Sequence, residues 1–269
     1  MIAEFAGGFY TNSLALTADA GHMLSDVGAL ALSFFSIWIA KKPASSEKTY
    51  GYFRAEILAA FINGIALVAI ALFIIYDAFM RMFAPPEVKA PIMITIAIGG
   101  LIVNLIGAFL LHQDSKENIN IRGAFLHIIG DLLGSIGAIA AGLIILHWHY
   151  YLADPIISII IAILILYSSI HLINEAVNVL LEAAPAQINV ESIRETLLEV
   201  PNVIDVYDLH VWSIASNKIA LSVHIITEFL DNKNILCTIS NVLKEKFDIH
   251  HSTIQIEPEG FDETECSLM

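Results

Sequence analysis

The chain has 269 residues, 57% of them hydrophobic and only 15% charged, with a mean hydropathy of +0.73. A soluble domain carries about 25% charge, so this composition excludes an ordinary water-soluble protein. Lys and Arg number 13 against 27 Asp and Glu, for a net charge of −14. That balance excludes nucleic acid and anionic lipid as specific partners, since both demand basic patches.

Met1–Phe9 is apolar but too short to cross a bilayer, and reads as the second half of a helix that begins earlier. A signal peptide does not fit, because no basic leader and no small-residue cleavage site precede Asn12. Against the roughly 20 residues a span requires, five runs read as transmembrane helices: Leu14–Ala40, Phe53–Phe83, Ile92–Leu111, Gly123–Leu146 and Pro155–Leu181. Their loops are unequally charged. Lys41, Lys42, Lys48, Arg54, Lys116 and Arg122 lie on one side, and Arg81 and Lys89 on the other. Basic loops stay in the cytoplasm, which puts the C-terminal segment there too.

Hydropathy falls at Pro185. Beyond it, Asn189–Val200 reads as a capped amphipathic helix, and Val203–Ile214 and Ile219–Thr227 read as strands around a turn at Ala215–Lys218. Asp231–Phe247 reads as a helix with Ile235, Ile239, Val242 and Leu243 on one stripe, and Ser252–Glu257 as a last strand. The α-β-β-α-β order predicts a small two-layer α+β domain whose thin core favours docking to a second copy. The predicted division is a transmembrane domain over 1–184 and a cytoplasmic domain over 185–269. Cys237 and Cys266 have neither paired spacing nor a secreted context, so no disulfide is expected.

Within the greasy helices, His22 and Asp26 repeat the spacing of His127 and Asp131. Residues i and i+4 share a helix face, so each pair aims an imidazole and a carboxylate one way. Two facing pairs make a tetrahedral shell of two nitrogens and two oxygens, suited to Zn²⁺ and tolerant of Co²⁺ and Cd²⁺. An ionisable group at mid-bilayer costs about 2.5–3.5 kcal/mol, and four in matched pairs point to transport of a divalent metal. Metal loading requires neutral His and ionised Asp, which predicts exchange of Zn²⁺ for H⁺. Asp19, near its helix start, reads as a capping residue. Asn63 and Asn104 read as helix-to-helix hydrogen-bonding groups.

The segments Asn12–Asp26, Tyr50–Glu56, Phe125–Asp131 and Asp208–Trp212 together resemble the zinc-transporter branch of the cation diffusion facilitator family. The resemblance covers the whole chain. It implies a multi-pass α-helical membrane domain of six-helix type with its first helix truncated, a ferredoxin-like α+β cytoplasmic domain, a homodimer and metal–proton antiport. It also implies a charge pair between Arg54 and Glu182, and a second, regulatory zinc site in the C-terminal domain at or near His210, His224, His250 and Glu257. Strand alternation is expected to put Asp208, His210 and Trp212 on one face. Relatives with a further metal site carry histidines in the segment equivalent to Thr49–Arg54; this chain has Tyr50, Tyr52 and Phe53 there, so that site is expected to be absent.

The short Gln113–Arg122 loop, without a His-rich insert, leans toward a bacterial plasma membrane. Two rivals from other classes are an intramembrane zinc metalloenzyme and a membrane metal sensor. The enzyme would leave one metal position open for water and use a His-Glu-x-x-His run. No such run occurs. The sensor would not need two matched intramembrane pairs.

Overall fold

The computed structural model describes the chain except residues 41, 113–118, 216–217, 229–231 and 261–269, and except the side chains of 25–26, 29, 33, 36–37, 40, 111–112, 119–129 and 232. Cys266, Lys41 and Lys116, and most of the loop before Gly123, lie outside the described residues. The described chain divides into two compact units, Met1–Ser33 with Ala60–Ile173, and Phe34–Ala59 with Asn174–Met269.

In the first unit, α1 (Ile2–Thr11) is a ten-residue helix ended by Asn12 in the left-handed conformation, φ 60°. At 1.5 Å per residue it is about 15 Å long, half a hydrocarbon thickness. The long helices follow in order: α2 (Leu14–Ala40), α3 (Ala55–Phe83), α4 (Ala90–His112), α5 (Ile119–Trp148) and α6 (Ala153–Leu180). Four of the apolar segments, Ala55–Phe83, Ala90–Leu110, Gly130–Trp148 and Ala153–Leu180, are long and apolar enough to cross a membrane among the described residues. The expected span Leu14–Ala40 has the bounds of α2.

Packing here follows membrane logic. The buried core is rich in alanine, with Ala15, Ala18, Ala71, Ala78, Ala97, Ala138, Ala141 and Ala162 inside. Phe73, Phe109 and Tyr167 are largely exposed on its outside. Lipid tails remove the hydrophobic penalty for large apolar groups outside, and small residues let backbones approach.

The turn into α2 is built by residues distant in sequence. Asp154, fully buried at the start of α6, accepts from Ser13 Oγ at 2.6 Å, Leu14 N at 2.7 Å and Ala15 N at 3.2 Å. Ser13 Oγ in turn accepts from Leu16 N at 3.3 Å. The orphan amides of α2 are thus capped by Ser13 and Asp154. Arg81 pairs with Asp77 at 3.0 Å and donates to the Asn12 carbonyl at 2.8 Å.

In the second unit, α7 (Val190–Leu198) begins at Asn189, whose side chain accepts from Glu191 N and Ser192 N. This is an N-cap of ordinary type. The strands β1 (Val203–Ala215), β2 (Lys218–Thr227) and β3 (His251–Pro258) form a sheet in the order β1-β2-β3. β1 and β2 run antiparallel, while β2 and β3 run parallel through the crossover helix α8 (Asn232–Phe247). One sheet face packs Val206, Val211, Leu221, Val223 and Ile225 against Ile193 and Leu197 of α7 and Ile235, Ile239 and Leu243 of α8. This is the two-layer α+β arrangement read from the sequence.

One expectation for β1 is corrected. The register shifts between Tyr207, opposite His224, and His210, opposite Ser222. Asp208 sits in this bulge with φ 48°, a left-handed conformation that Asp tolerates better than most residues. The extra residue breaks strict alternation, so Tyr207 joins His210 and His224 on the open face, while the Asp208 carboxylate still reaches both histidines from the bulge.

Candidate metal centre

His22 lies on α2 and Asp131 on α5, and His22 Nε2 comes to 3.5 Å from Asp131 Oδ1. Asp131 is buried and His22 half-buried. Asp26 follows His22 by one turn of α2, and His127 precedes Asp131 by one turn of α5. Their side chains lie outside the described residues. The described half of the predicted set therefore brings a nitrogen and an oxygen from two different helices together in the apolar unit. Neutral imidazole and carboxylate at this separation are the donor types that Zn²⁺ takes.

Asp19 departs from the capping role expected of it. It is buried six residues into α2, and the caps of that helix are supplied by Ser13 and Asp154. Ser135 Oγ of α5 donates to Asp19 Oδ2 at 3.4 Å. Asn63 and Asn104 are buried as well, and Asn104 Nδ2 finds no hydrogen-bond partner among the described residues.

Sequence reading passed over Glu4. Its carboxylate is buried, with a residue exposure of 3%. A lone acidic residue in the apolar run Met1–Phe9 was the available signal, since an ionisable group in such a run needs a reason.

In the C-terminal domain, His224 Nδ1 is 3.1 Å from Glu257 Oε1 and His224 Nε2 is 3.8 Å from Asp208 Oδ2. Tyr207 OH donates to Glu257 Oε2, and Gln255 Nε2 donates to Glu257 Oε1 at 2.7 Å. His210 Nε2 meets Asp208 Oδ1 at 3.0 Å. His250 stands apart, paired with Asp248 at 2.8 Å before β3 begins. β3 rises about 3.3 Å per residue, which puts Glu257 about 20 Å from His251. The four expected ligands His210, His224, His250 and Glu257 therefore do not form one shell within a chain. Among the described residues no three His, Cys, Asp or Glu groups are placed to hold a metal. Arg54 Nη2 donates to Glu182 Oε1 at 2.7 Å, with both side chains well exposed.

Comparison with known proteins gives the assignment. The model of the cation efflux transmembrane domain matches residues 1–181, and that of the cation efflux protein cytoplasmic domain matches residues 185–259. The chain belongs to the cation efflux family. Among its relatives, a cadmium, cobalt and zinc/H(+)-K(+) antiporter of Bacillus velezensis is 47% identical, over 96% of this chain and 84% of that protein. The antiporter of the same description in Bacillus subtilis is 44% identical over 100% of this chain and 88% of its own length. The zinc transporter ZitB of Escherichia coli is 40% identical over 100% and 86%. A solved structure described as the metal-bound C-terminal domain of the CzcD transporter from Cuprividus metallidurans is 32% identical, covering 26% of this chain and 99% of that one, with a TM-score of 0.25. The cation efflux family consists of multi-pass membrane transporters, so the metalloenzyme reading is set aside. The buried His22–Asp131 approach thus belongs to a transporter's membrane domain.

Proposed function

We propose that this cation efflux protein exports Zn²⁺ from the cytoplasm in exchange for protons, with Co²⁺ and Cd²⁺ as competing cargo. The ion is held by His22 and Asp26 of α2 and His127 and Asp131 of α5. The observation that carries this reading is the approach of His22 Nε2 to Asp131 Oδ1 at 3.5 Å, across two helices inside the apolar unit. The described relatives, named as zinc transporters and as antiporters of cadmium, cobalt and zinc, support the cargo. In this reading residues 1–184 carry the ion and residues 185–269 join two copies of the chain in the cytoplasm. The protein then sits in a bacterial plasma membrane, with Arg54 and Glu182 tying helix to hinge.

Proton coupling follows from the donor set. A protonated imidazole has no lone pair for the metal and sets a positive charge beside it, so acid opposes loading. Zinc loading is therefore expected to fall as the loading side is acidified. A site open alternately toward each face then exchanges Zn²⁺ for protons by rocking of helices. In the C-terminal domain the donors among the described residues do not close a metal shell, and no step is assigned to a metal there.

The test is zinc flux in proteoliposomes under an imposed proton gradient. Uphill zinc movement should slow when the pH gradient is collapsed at constant zinc gradient. Zinc uptake that stays uphill without any proton gradient, and never acidifies the opposite compartment, sinks the exchange mechanism.

A further inference from the structure

The start of α2 is held by more than a helix cap requires. Ser13 caps α2 from its own chain, accepting from Leu16 N at 3.3 Å. Asp154 adds three bonds from α6 and engages both of its oxygens. Oδ1 accepts from Ser13 Oγ at 2.6 Å and from Ala15 N at 3.2 Å, and Oδ2 accepts from Leu14 N at 2.7 Å. Asp154 and Ser13 are buried, at 0% and 1% exposure. A carboxylate is costly to bury, and a local cap would have served the helix alone. What the distant residue adds is position, because neither sliding nor rotating α2 keeps all three bonds.

The body from which Asp154 reaches is the one that carries Asp131. α5 ends at Trp148 and α6 begins at Ala153, and the turn between them is closed by His149 N to Ile145 O at 2.9 Å and Ala153 N to Tyr150 O at 3.1 Å. A methyl added at Gly137 of α5 would stand 3.1 Å from Ile157 of α6, so the two helices pack closely beside Asp154. α5 also meets α2 directly. Ser135 Oγ donates to Asp19 Oδ2 at 3.4 Å, and a methyl added at Gly134 would stand 2.7 Å from Asp19 Oδ1. Along α2 the contacts with the α5–α6 hairpin therefore follow in order: Asp154 at its start, Ser135 at Asp19, Asp131 at His22. Leu14 and His22 are separated by about 12 Å of helix. A helix fixed at its start carries that setting to His22.

We infer that Asp154, with Ser13, is a positioning residue for the transport site: it fixes α2 against the α5–α6 hairpin and so sets where His22 stands relative to Asp131. The inference deepens the proposed function and rests on the ligand set given there. Its consequence is selectivity. Metal preference depends on geometry as well as donor type, and donors about 1 Å out of place lose it. Zn²⁺ closes a tetrahedral shell with bonds of about 2.0–2.2 Å to nitrogen and oxygen. Cd²⁺ is larger and tolerates donors set further apart, so loosening α2 weakens Zn²⁺ more than Cd²⁺.

The experiment uses the full chain with Zn²⁺ and Cd²⁺ as probes, reading their affinities by calorimetry and their competition by proteoliposome flux. Asp154→Asn keeps the shape but puts an amide donor where a carboxylate oxygen accepted. It should weaken Zn²⁺ binding about tenfold and Cd²⁺ binding no more than about threefold, and shift competition flux about threefold toward Cd²⁺. Ser13→Ala removes one of the three bonds and should weaken Zn²⁺ about fivefold and Cd²⁺ less than about twofold. Parental affinities and parental competition in Asp154→Asn overturn the inference and leave Asp154 a structural cap. Equal weakening of the two ions overturns it too, because a loss of folded protein does not distinguish them. Where Asp154→Asn loses the parental elution profile, Ser13→Ala decides by the same two criteria. His22→Ala is measured alongside. Parental zinc affinity in His22→Ala overturns the ligand set itself, and the positioning role with it.

Discussion

Histidine meets aspartate in both halves of this protein, and the two kinds of meeting are physically different. In the membrane unit, His22 and Asp131 come from separate helices and are brought together at 3.5 Å by packing, away from bulk water. In the C-terminal domain, His210 with Asp208 and His250 with Asp248 are neighbours two residues apart, at 3.0 and 2.8 Å, with well-exposed side chains. Solvent screens the second kind, and an exposed pair contributes from nothing to about 1 kcal/mol. Burial sets His22 and Asp131 apart from these two surface pairs, as it does His224 and Glu257, which meet across neighbouring strands at 3.1 Å.

The cores differ in the same spirit. Alanine fills the interior of the membrane unit, while Ile, Leu and Val fill the C-terminal domain. Water drives large apolar groups inward only where water is the alternative.

The sharpest way to break this comparison is to alanine-scan its two sides. His22→Ala or Asp131→Ala should reduce proteoliposome zinc flux at least a hundredfold while elution as a folded protein is retained. His210→Ala and His250→Ala should change flux less than twofold. Equal losses on both sides would show that burial is not what sets the site apart. Next in size is packing. Ile239→Ala should lower the hydrogen-exchange protection of β2 amides by about 2–4 kcal/mol, because it opens a cavity in the C-terminal core. Phe109→Ala, on the exposed face of α4, should leave elution and flux within about twofold of parental.

Smaller still is selectivity. His22→Asp exchanges a borderline nitrogen for a hard oxygen and should shift competition flux a few-fold toward Cd²⁺ or Mn²⁺ over Zn²⁺; an unchanged preference would remove His22 from the donor set. Smallest is the Arg54–Glu182 pair. Its exposure predicts a double-mutant coupling of no more than about 1 kcal/mol in dimer stability, and strictly additive single effects would mean the pair contributes nothing.

Much of this was legible in the sequence, for a physical reason. Hydropathy runs and helical periodicity are local signals, so the ends of α2 and the cap at Asn189 could be read residue by residue. The i, i+4 spacing of His22 and Asp26 is local in the same way. What escaped was non-local or one residue out of phase. Asp154 caps a helix 140 residues away. Asp19 could not be told from a capping residue until Ser13 and Asp154 were seen to hold that role. The close approach of Glu4 to Gly100 comes from another helix. The distance from His250 to Glu257 was legible in principle, since strand rise alone separates them.

The bulge at Asp208 has a consequence for chain length. Val206 and Val211 both face the C-terminal core, although five residues, an odd interval, separate them. An unbroken strand sends residues an odd interval apart to opposite faces. The extra residue of the bulge is what lets both valines face inward. Deleting one residue at the bulge would leave them four apart, an even interval that an unbroken strand keeps on one face, so the core would keep both valines and only the bulge would be lost. Tolerance of a one-residue deletion at this point is a property of residue count that no scan of point substitutions would reveal.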